Sequence, residues 1–246
     1  MRISKSWIIA LKDFKVFRRK KYIIYSIVVI PLMVSILFPV VIEYAVIKSG
    51  GVPAAELATL LPAFTFFYII LAGVIPTTIA SYSLVGEKVE KSLEPLLATP
   101  TTDGEILFGK GIAAFIPAMG AILAGGTILM ILMDRVTYGA LGYDFFPNWN
   151  AAIVLFLTVP LAVILSVEWN VIVSSRVSDI RVAQQVGLLL VLPFGGIYVG
   201  GELDIVALSS ASTLLTIAGI IAVIDLILLY VAKATFRREE ILTRWK

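Results

Sequence analysis

The chain has 246 residues, 59% of them hydrophobic and only 15% charged, with a mean hydropathy of +0.99. A soluble domain is about 45–50% apolar, so this composition excludes an ordinary soluble protein. Cysteine and histidine are absent, which excludes disulfides, Cys/His zinc sites, iron–sulfur ligation and nucleophile pairs built on His; the net charge of +3 says less than the placement of the basic residues.

The first 21 residues, MRISKSWIIALKDFKVFRRKK, hold eight Lys/Arg and lack an apolar core followed by a cleavage site. The following span is therefore expected to stay in the membrane. Ile3, Trp7, Leu11, Phe14 and Phe17 recur every three or four residues, with Lys5, Lys12, Lys15, Arg18 and Arg19 filling much of the rest. This pattern predicts an amphipathic helix over 1–21, lying in the inner membrane interface.

Six apolar blocks follow, at 22–47, 58–85, 109–133, 151–173, 183–200 and 210–232. Each is near the roughly 20 residues that cross a bilayer as a helix. The expected fold is an all-α integral membrane protein with six transmembrane helices, read as one transmembrane domain over 1–246. With an inner N-terminus, eighteen of the 20 Lys/Arg fall on inner segments and only Lys48 and Arg135 on outer ones. The positive-inside rule then puts both termini, including the 233–246 tail, in the cytoplasm of a cell membrane. Prolines in five of the six blocks (Pro31, Pro39, Pro62, Pro76, Pro117, Pro160, Pro193) predict kinked, packed spans. The outer loops, about 10, 17 and 9 residues, leave no room for a folded outer domain. The longest, DRVTYGALGYDFFPNWN at 134–150, has the aromatic content of an interfacial belt.

Residues 104–111, GEILFGKG, match most of a phosphate-binding loop. The match lacks its context. Gly111 stands where a Ser/Thr would hold magnesium, Glu105 would repel phosphate, and no strand precedes it. Thr102 and Glu105 form a capping-box signature that starts a helix near Asp103. The N–H groups of Gly104 to Lys110 are then committed to the helix rather than to a nucleotide. Lys110 is expected at the inner interface below the third span, its stem along the lipid boundary.

The surrounding loop, 86–108, reads GEKVEKSLEPLLATPTTDGEILF. Ser92 can cap a short helix starting at Leu93, Pro95 sits in its first turn, and Pro100 ends it near Thr99. Leu96 and Leu97 would be presented inside a rim of Glu87, Glu90 and Glu94. An apolar centre with a charged rim suits a docking surface for a soluble partner, and equally leucines resting among lipid headgroups.

Residues 86–110 closely resemble the loop between spans two and three in membrane subunits of ABC exporters, the type 2 ABC-transporter permease family. The shared positions are Gly86, Glu87, Lys88, Lys91, Ser92, Leu93, Glu94, Leu96, Leu97, Thr99, Pro100, Glu105, Ile106, Gly109 and Lys110. Val89 stands where an acid is usual, and Glu90 where a base is usual. SSRVSDIRVAQQ at 174–185 is similar to the family's second inner loop. The resemblance implies a permease subunit that is not itself an enzyme and binds no cofactor. ATP and magnesium would sit on a separate ABC ATPase subunit, and a second permease subunit would complete a homodimer or heterodimer in the lipid bilayer. No nucleic acid partner is implied. It also implies that the 92–99 coupling helix docks on the ATPase through Glu87, Glu90, Ser92, Leu93, Glu94, Leu96, Leu97, Thr99 and Pro100.

Within the spans, Glu168, Asn170 and Asp225 stand out, because intramembrane carboxylates must face protein or water. Glu168 has Arg176 as a candidate partner near the inner surface. Thr65, Thr77, Thr78 and Ser81 make a weaker candidate lining for a substrate path, and Gly196-x-x-x-Gly200 is a candidate close-packing motif. A competing reading is an ion-coupled secondary transporter using Glu168 and Asp225. An intramembrane enzyme would need a Ser–Lys pair or a second intramembrane Asp, and neither appears.

Overall fold

A computed structural model describes residues 2–48, 53–89, 99–203 and 205–235. They are helical with no strand among them, and six helical segments are long and apolar enough to cross a membrane. These are Lys21–Tyr44, Glu56–Ser81, Asp103–Leu141, Trp149–Arg176, Ile180–Glu202 and Ala211–Ala232. The elements in chain order are α1 (Ile3–Phe17), α2 (Lys21–Val41), α3 (Ala54–Ser81), α4 (Asp103–Leu141), α5 (Trp149–Ile153), α6 (Val159–Arg176), α7 (Ile180–Leu188), α8 (Val191–Glu202) and α9 (Ala211–Thr235).

Pro31, Pro39, Pro62, Pro76 and Pro117 sit inside continuous helices, while Pro193 and Pro160 lie beside a change in helix type. A proline ring strikes the carbonyl four residues back. For Pro193 that carbonyl belongs to Leu189, and the helix breaks there into α7 and α8. Bonds of the tighter type bridge the gap, from Leu189 N–H to the Val186 carbonyl and from Leu190 N–H to the Gly187 carbonyl. The fifth expected span is thus two helices. For Pro160 the carbonyl belongs to Phe156, which lies in a π-helical turn, Val154–Thr158, joining α5 to α6.

Helix α4 departs most from the expected limits. It runs 39 residues, about 58 Å at 1.5 Å per residue, well beyond a hydrocarbon core of about 30 Å. Residues 134–141, expected in a loop, continue it. It stops at Gly142, whose φ of +78° suits a residue without a side chain and whose N–H bonds the Tyr138 carbonyl at 2.8 Å. The remainder of that loop is pinned by Asp134, which accepts the Phe145 and Phe146 N–H groups at 2.9 and 3.0 Å.

Helices α3 and α5–α6 form the centre, with 67% and 61% of their apolar stretches buried, against 17–28% for the other spans. Helix α3 packs on α4, α6 and α8; α2 lies along α4, and α9 along α6. Glycines set the closest approaches. A Cβ at Gly125 would lie 2.8 Å from Pro31 Cβ, so α2 and α4 touch there. Ser35 of α2 seals that contact. Its hydroxyl lies 2.7 Å from the Gly125 carbonyl and 2.6 Å from that of Pro31, and 2.7 Å from the Tyr68 hydroxyl of α3. The expected motif at Gly196 and Gly200 has no such role: a Cβ at Gly196 would meet nothing, and one at Gly200 would meet only Val206 just beyond its own helix.

Helix α1 lies across the end of the bundle where α3 finishes and α4 begins, here called the base. Its bundle-facing stripe is Ser6, Ile9, Ala10, Asp13 and Phe17. Ile3, Trp7, Ile8 and Leu11 face outward and are exposed. Most of the expected apolar stripe is therefore free to meet lipid, while a second, mixed stripe holds the protein. The crossing needs Gly109 of α4, where a Cβ would lie 2.7 Å from the Ser6 carbonyl oxygen and 2.9 Å from Ile9 Cβ. Gly109→Val is expected to destabilise the solubilised protein by about 1–3 kcal/mol by forcing α1 away. Gly120→Ala, on the same helix with open space around it, is expected to stabilise by about 0.5–1 kcal/mol. Thermal unfolding of both variants in one detergent tests the contrast.

Candidate coupling site and intramembrane polar network

The capping box at the start of α4 is formed on both sides. Thr102 Oγ1 accepts from Glu105 N–H at 3.3 Å, and Glu105 Oε2 accepts from Thr102 N–H at 3.0 Å. Gly104 to Lys110 are helical, with the Ile106 N–H bonded to the Thr102 carbonyl at 3.1 Å. The other carboxylate oxygen of Glu105 accepts the Arg2 backbone N–H at 2.7 Å, tying the start of α1 to the start of α4.

Lys110 is not at the lipid boundary. It is 2% exposed and sits inside a cluster of charges. Its Nζ lies 2.7 Å from Glu87 Oε2 and 3.5 Å from Asp13 Oδ2. It also donates to the Ser83 carbonyl at 2.7 Å. Ser83 Oγ donates to Asp13 Oδ2 at 2.5 Å, and Lys12 Nζ lies 2.5 Å from Glu87 Oε1. Two acids and two lysines thus balance, drawn from α1, from α4 and from a helical turn, Glu87–Val89, that carries the α3 run past residue 86, the expected start of a loop. Ser83 belongs to a π-helical turn, Tyr82–Gly86, that continues α3. An ammonium withdrawn from water is tolerated only where carboxylates and carbonyls replace its hydration.

Glu87 therefore differs from its expected place on a docking rim. It is buried, and its carboxylate is turned inward between Lys12 and Lys110. Thr99 and Pro100 are exposed at the other end of the loop, and the Pro100 carbonyl accepts from Lys5 of α1. Glu90, Ser92, Leu93, Glu94, Leu96 and Leu97, with the expected coupling helix, lie outside the described residues. What is described is how the loop's two ends are held. Both are held by α1.

The candidate path residues divide into two groups. Thr77, Ser81 and Asn170 join in one buried network with Ser166, which sequence reasoning did not select. Asn170 Nδ2 donates to Thr77 Oγ1 at 2.9 Å and to the Ser166 carbonyl at 2.7 Å. Ser81 Oγ donates to Asn170 Oδ1 at 3.0 Å. The Gly73 carbonyl accepts from both Thr77 and Ser166, at 2.7 and 2.9 Å. This network fastens α3 to α6. Gly187 of α7 closes over it, since a Cβ there would lie 2.3 Å from Asn170 Oδ1.

Thr78 is half-buried beside the network. Glu168 is 8% and Asp225 7% exposed. Both Asp225 carboxylate oxygens lack a hydrogen-bond partner among the described residues, as does Thr65 Oγ1. Arg176 does not serve as a partner for Glu168: it is exposed at the end of α6 and makes no ion pair among the described residues.

Six helices long and apolar enough to cross a membrane, with α1 lying across their base, define a multi-pass membrane protein. A comparison with protein families places it further. The model described as "ABC-2 family transporter protein" matches residues 7–231, nearly the whole chain, and the chain belongs to that family. Among curated proteins none matches it.

Removing Lys110 leaves two buried carboxylates with one flanking lysine. Lys110→Met is expected to cost about 3–5 kcal/mol of stability. Lys15→Met, on the exposed side of α1, is expected to change stability by no more than about 0.5 kcal/mol. Unfolding of the two variants beside the native protein distinguishes a buried ion cluster from a dispensable surface pair.

Proposed function

We propose that the chain is the permease subunit of an ATP-driven ABC exporter. Two copies, or this chain and a similar one, form the translocation path, and separate ABC ATPase subunits hold ATP and magnesium beneath them. The chain itself carries out no hydrolysis and holds no cofactor. Both termini lie in the cytoplasm of a cell membrane, as the distribution of Lys and Arg favours. Family membership over residues 7–231 carries this reading. The helical GEILFGKG segment supports it, because Glu105 N–H is taken by Thr102 Oγ1, the Glu105 carboxylate lies at the helix start, and the Lys110 ammonium is turned inward onto Glu87 and Asp13.

In this reading the 92–99 helix meets the ATPase, with Glu94 pairing to basic residues and Leu96 and Leu97 filling a groove. Closure of the ATPases on ATP displaces the loop. Its ends lead directly into α3 and α4, so the displacement enters the bundle where those helices meet α1. The path then opens by separating α3 from α6, which exchanges the Thr77–Ser81–Asn170 hydrogen bonds for water or substrate. Neutral amide–hydroxyl bonds contribute only about 0.5–1.5 kcal/mol each, so such an exchange lies within reach of nucleotide binding. Thr78, Glu168 and Asp225 are the remaining candidate contacts along that path.

Purification of the tagged chain from native membranes tests the proposal. A soluble ATPase is expected at one copy per permease chain. Glu94→Lys and Leu96→Asp are expected to stay folded in the membrane and to lose that partner, while Glu168→Gln keeps it. A homo-oligomer with no ATPase after gentle extraction overturns the reading.

A further inference from the structure

Two lysines of α1 reach the two ends of the same loop. Lys12 engages Glu87 at its start, and Lys5 engages the Pro100 carbonyl at its end. They are seven residues apart, two turns on one helix face. Beneath the first contact lies Lys110, which bonds Glu87 and Ser83 and faces Asp13 of α1. Helix α1 additionally lies close on α4 at Gly109, and its Ile9 belongs to an apolar cluster with Ile106, Val171, Ile172 and Ala232.

We propose that Lys110 is a positioning residue for coupling: through Glu87 and Asp13 it fastens residues 87–89 and α1 to α4, so that this end of the chain segment and α1 receive displacement as one rigid unit. This rests on the permease reading for the source of the displacement, and on the charge cluster alone for the rigidity. The physical reason is the cost of partial separation. If the loop end or α1 moves alone, Lys110 loses a carboxylate inside a site it cannot leave, and the carboxylate loses its ammonium. Joint movement keeps every charge paired. A loop held only by exposed contacts would yield at small cost, since exposed ion pairs are weak. The loop's near end is instead locked where water does not screen it.

The chain has no cysteine, so paired spin labels can be placed without background. Ile3 on α1 and Val89 at the loop start are both exposed. Ile3→Cys and Val89→Cys are labelled and their separation is measured by double electron–electron resonance in lipid nanodiscs. The native background is expected to give one narrow distance. Lys110→Met is expected to lose the narrow component. Asp13→Asn/Glu87→Gln/Lys110→Met, which removes the charges together and avoids a buried unpaired carboxylate, is expected to lose it as well while remaining folded. Retention of the narrow distance in the triple variant overturns the proposal. With the ATPase bound, the native distance is expected to stay fixed when ATP is added, and that of the triple variant to shift although the ATPase still co-purifies. A shift in the native complex overturns the proposal too. Failure of the permease reading has a different signature: no ATPase accompanies the native chain, and the nucleotide-free measurement still decides the rigidity.

Discussion

The structure turns on one buried ammonium. Lys110 is withdrawn from water almost completely, and a charge in that position demands compensation from groups fixed around it. No single helix supplies them. Asp13 comes from α1, Ser83 from the turn after α3, and Glu87 from the first residues of the loop. The position of α1, the unwinding of α3 into a wider turn and the direction in which the loop leaves the bundle are therefore one problem with one solution. Gly109, one residue before Lys110, lets the α1 backbone come close enough for Asp13 to reach.

The middle of the bundle meets the same demand with neutral groups. Between α3 and α6, hydroxyls, a carboxamide and two backbone carbonyls satisfy one another, with Gly187 closing the site. A neutral network of this kind is inexpensive to exchange for water, whereas the charged cluster at the base is costly to separate. The two joints therefore differ in stiffness: the charged one at the base resists separation, and the neutral seam between α3 and α6 can exchange its hydrogen bonds at small cost. Asp225 fits neither joint. A carboxylate deep in a span carries about 2.5–3.5 kcal/mol of insertion cost, and among the described residues its oxygens have no hydrogen-bond partner to offset it.

Local rules made much of the fold legible. Apolar block length located six spans, and the Thr102–Glu105 signature located the start of α4 at the residue where it begins. Where local rules compete, the limits moved. The clash of Pro193 with the Leu189 carbonyl outweighed a continuous apolar block, and α4 runs past Asp134 to Gly142 although Asp134, Val136, Thr137, Tyr138 and Gly139 are weak helix formers. The site was less legible because its partners are distant in sequence. Asp13, Glu87 and Lys110 are unremarkable singly, and only the packing of α1 against α4 brings them together. An acid within an otherwise basic helix was the available signal, and Asp13 does fall on the 6–9–10–13–17 stripe that packs inward. Ser166 gave no signal beyond one hydroxyl. Gly196 and Gly200 meet no other span among the described residues, because a spacing cannot say which face of a helix has a neighbour.

The GEILFGKG string draws its meaning from the same physics in two settings. In a phosphate loop, glycines let an anion approach the backbone and a lysine neutralises it. In this chain Gly109 lets the α1 backbone approach the helix, and Lys110 neutralises anions that the protein itself supplies, the carboxylates of Asp13 and Glu87. The difference is made upstream. Once Thr102 and Glu105 commit the following residues to a helix, the wrap of backbone that would cradle phosphate does not form, Glu105 N–H is capped by Thr102, and the lysine and the gap left by a glycine are used otherwise. Close approach and charge neutralisation are then spent on fixing a helix and a loop to the bundle, so a motif suggestive of nucleotide binding belongs to the part of the molecule that holds its loop in place.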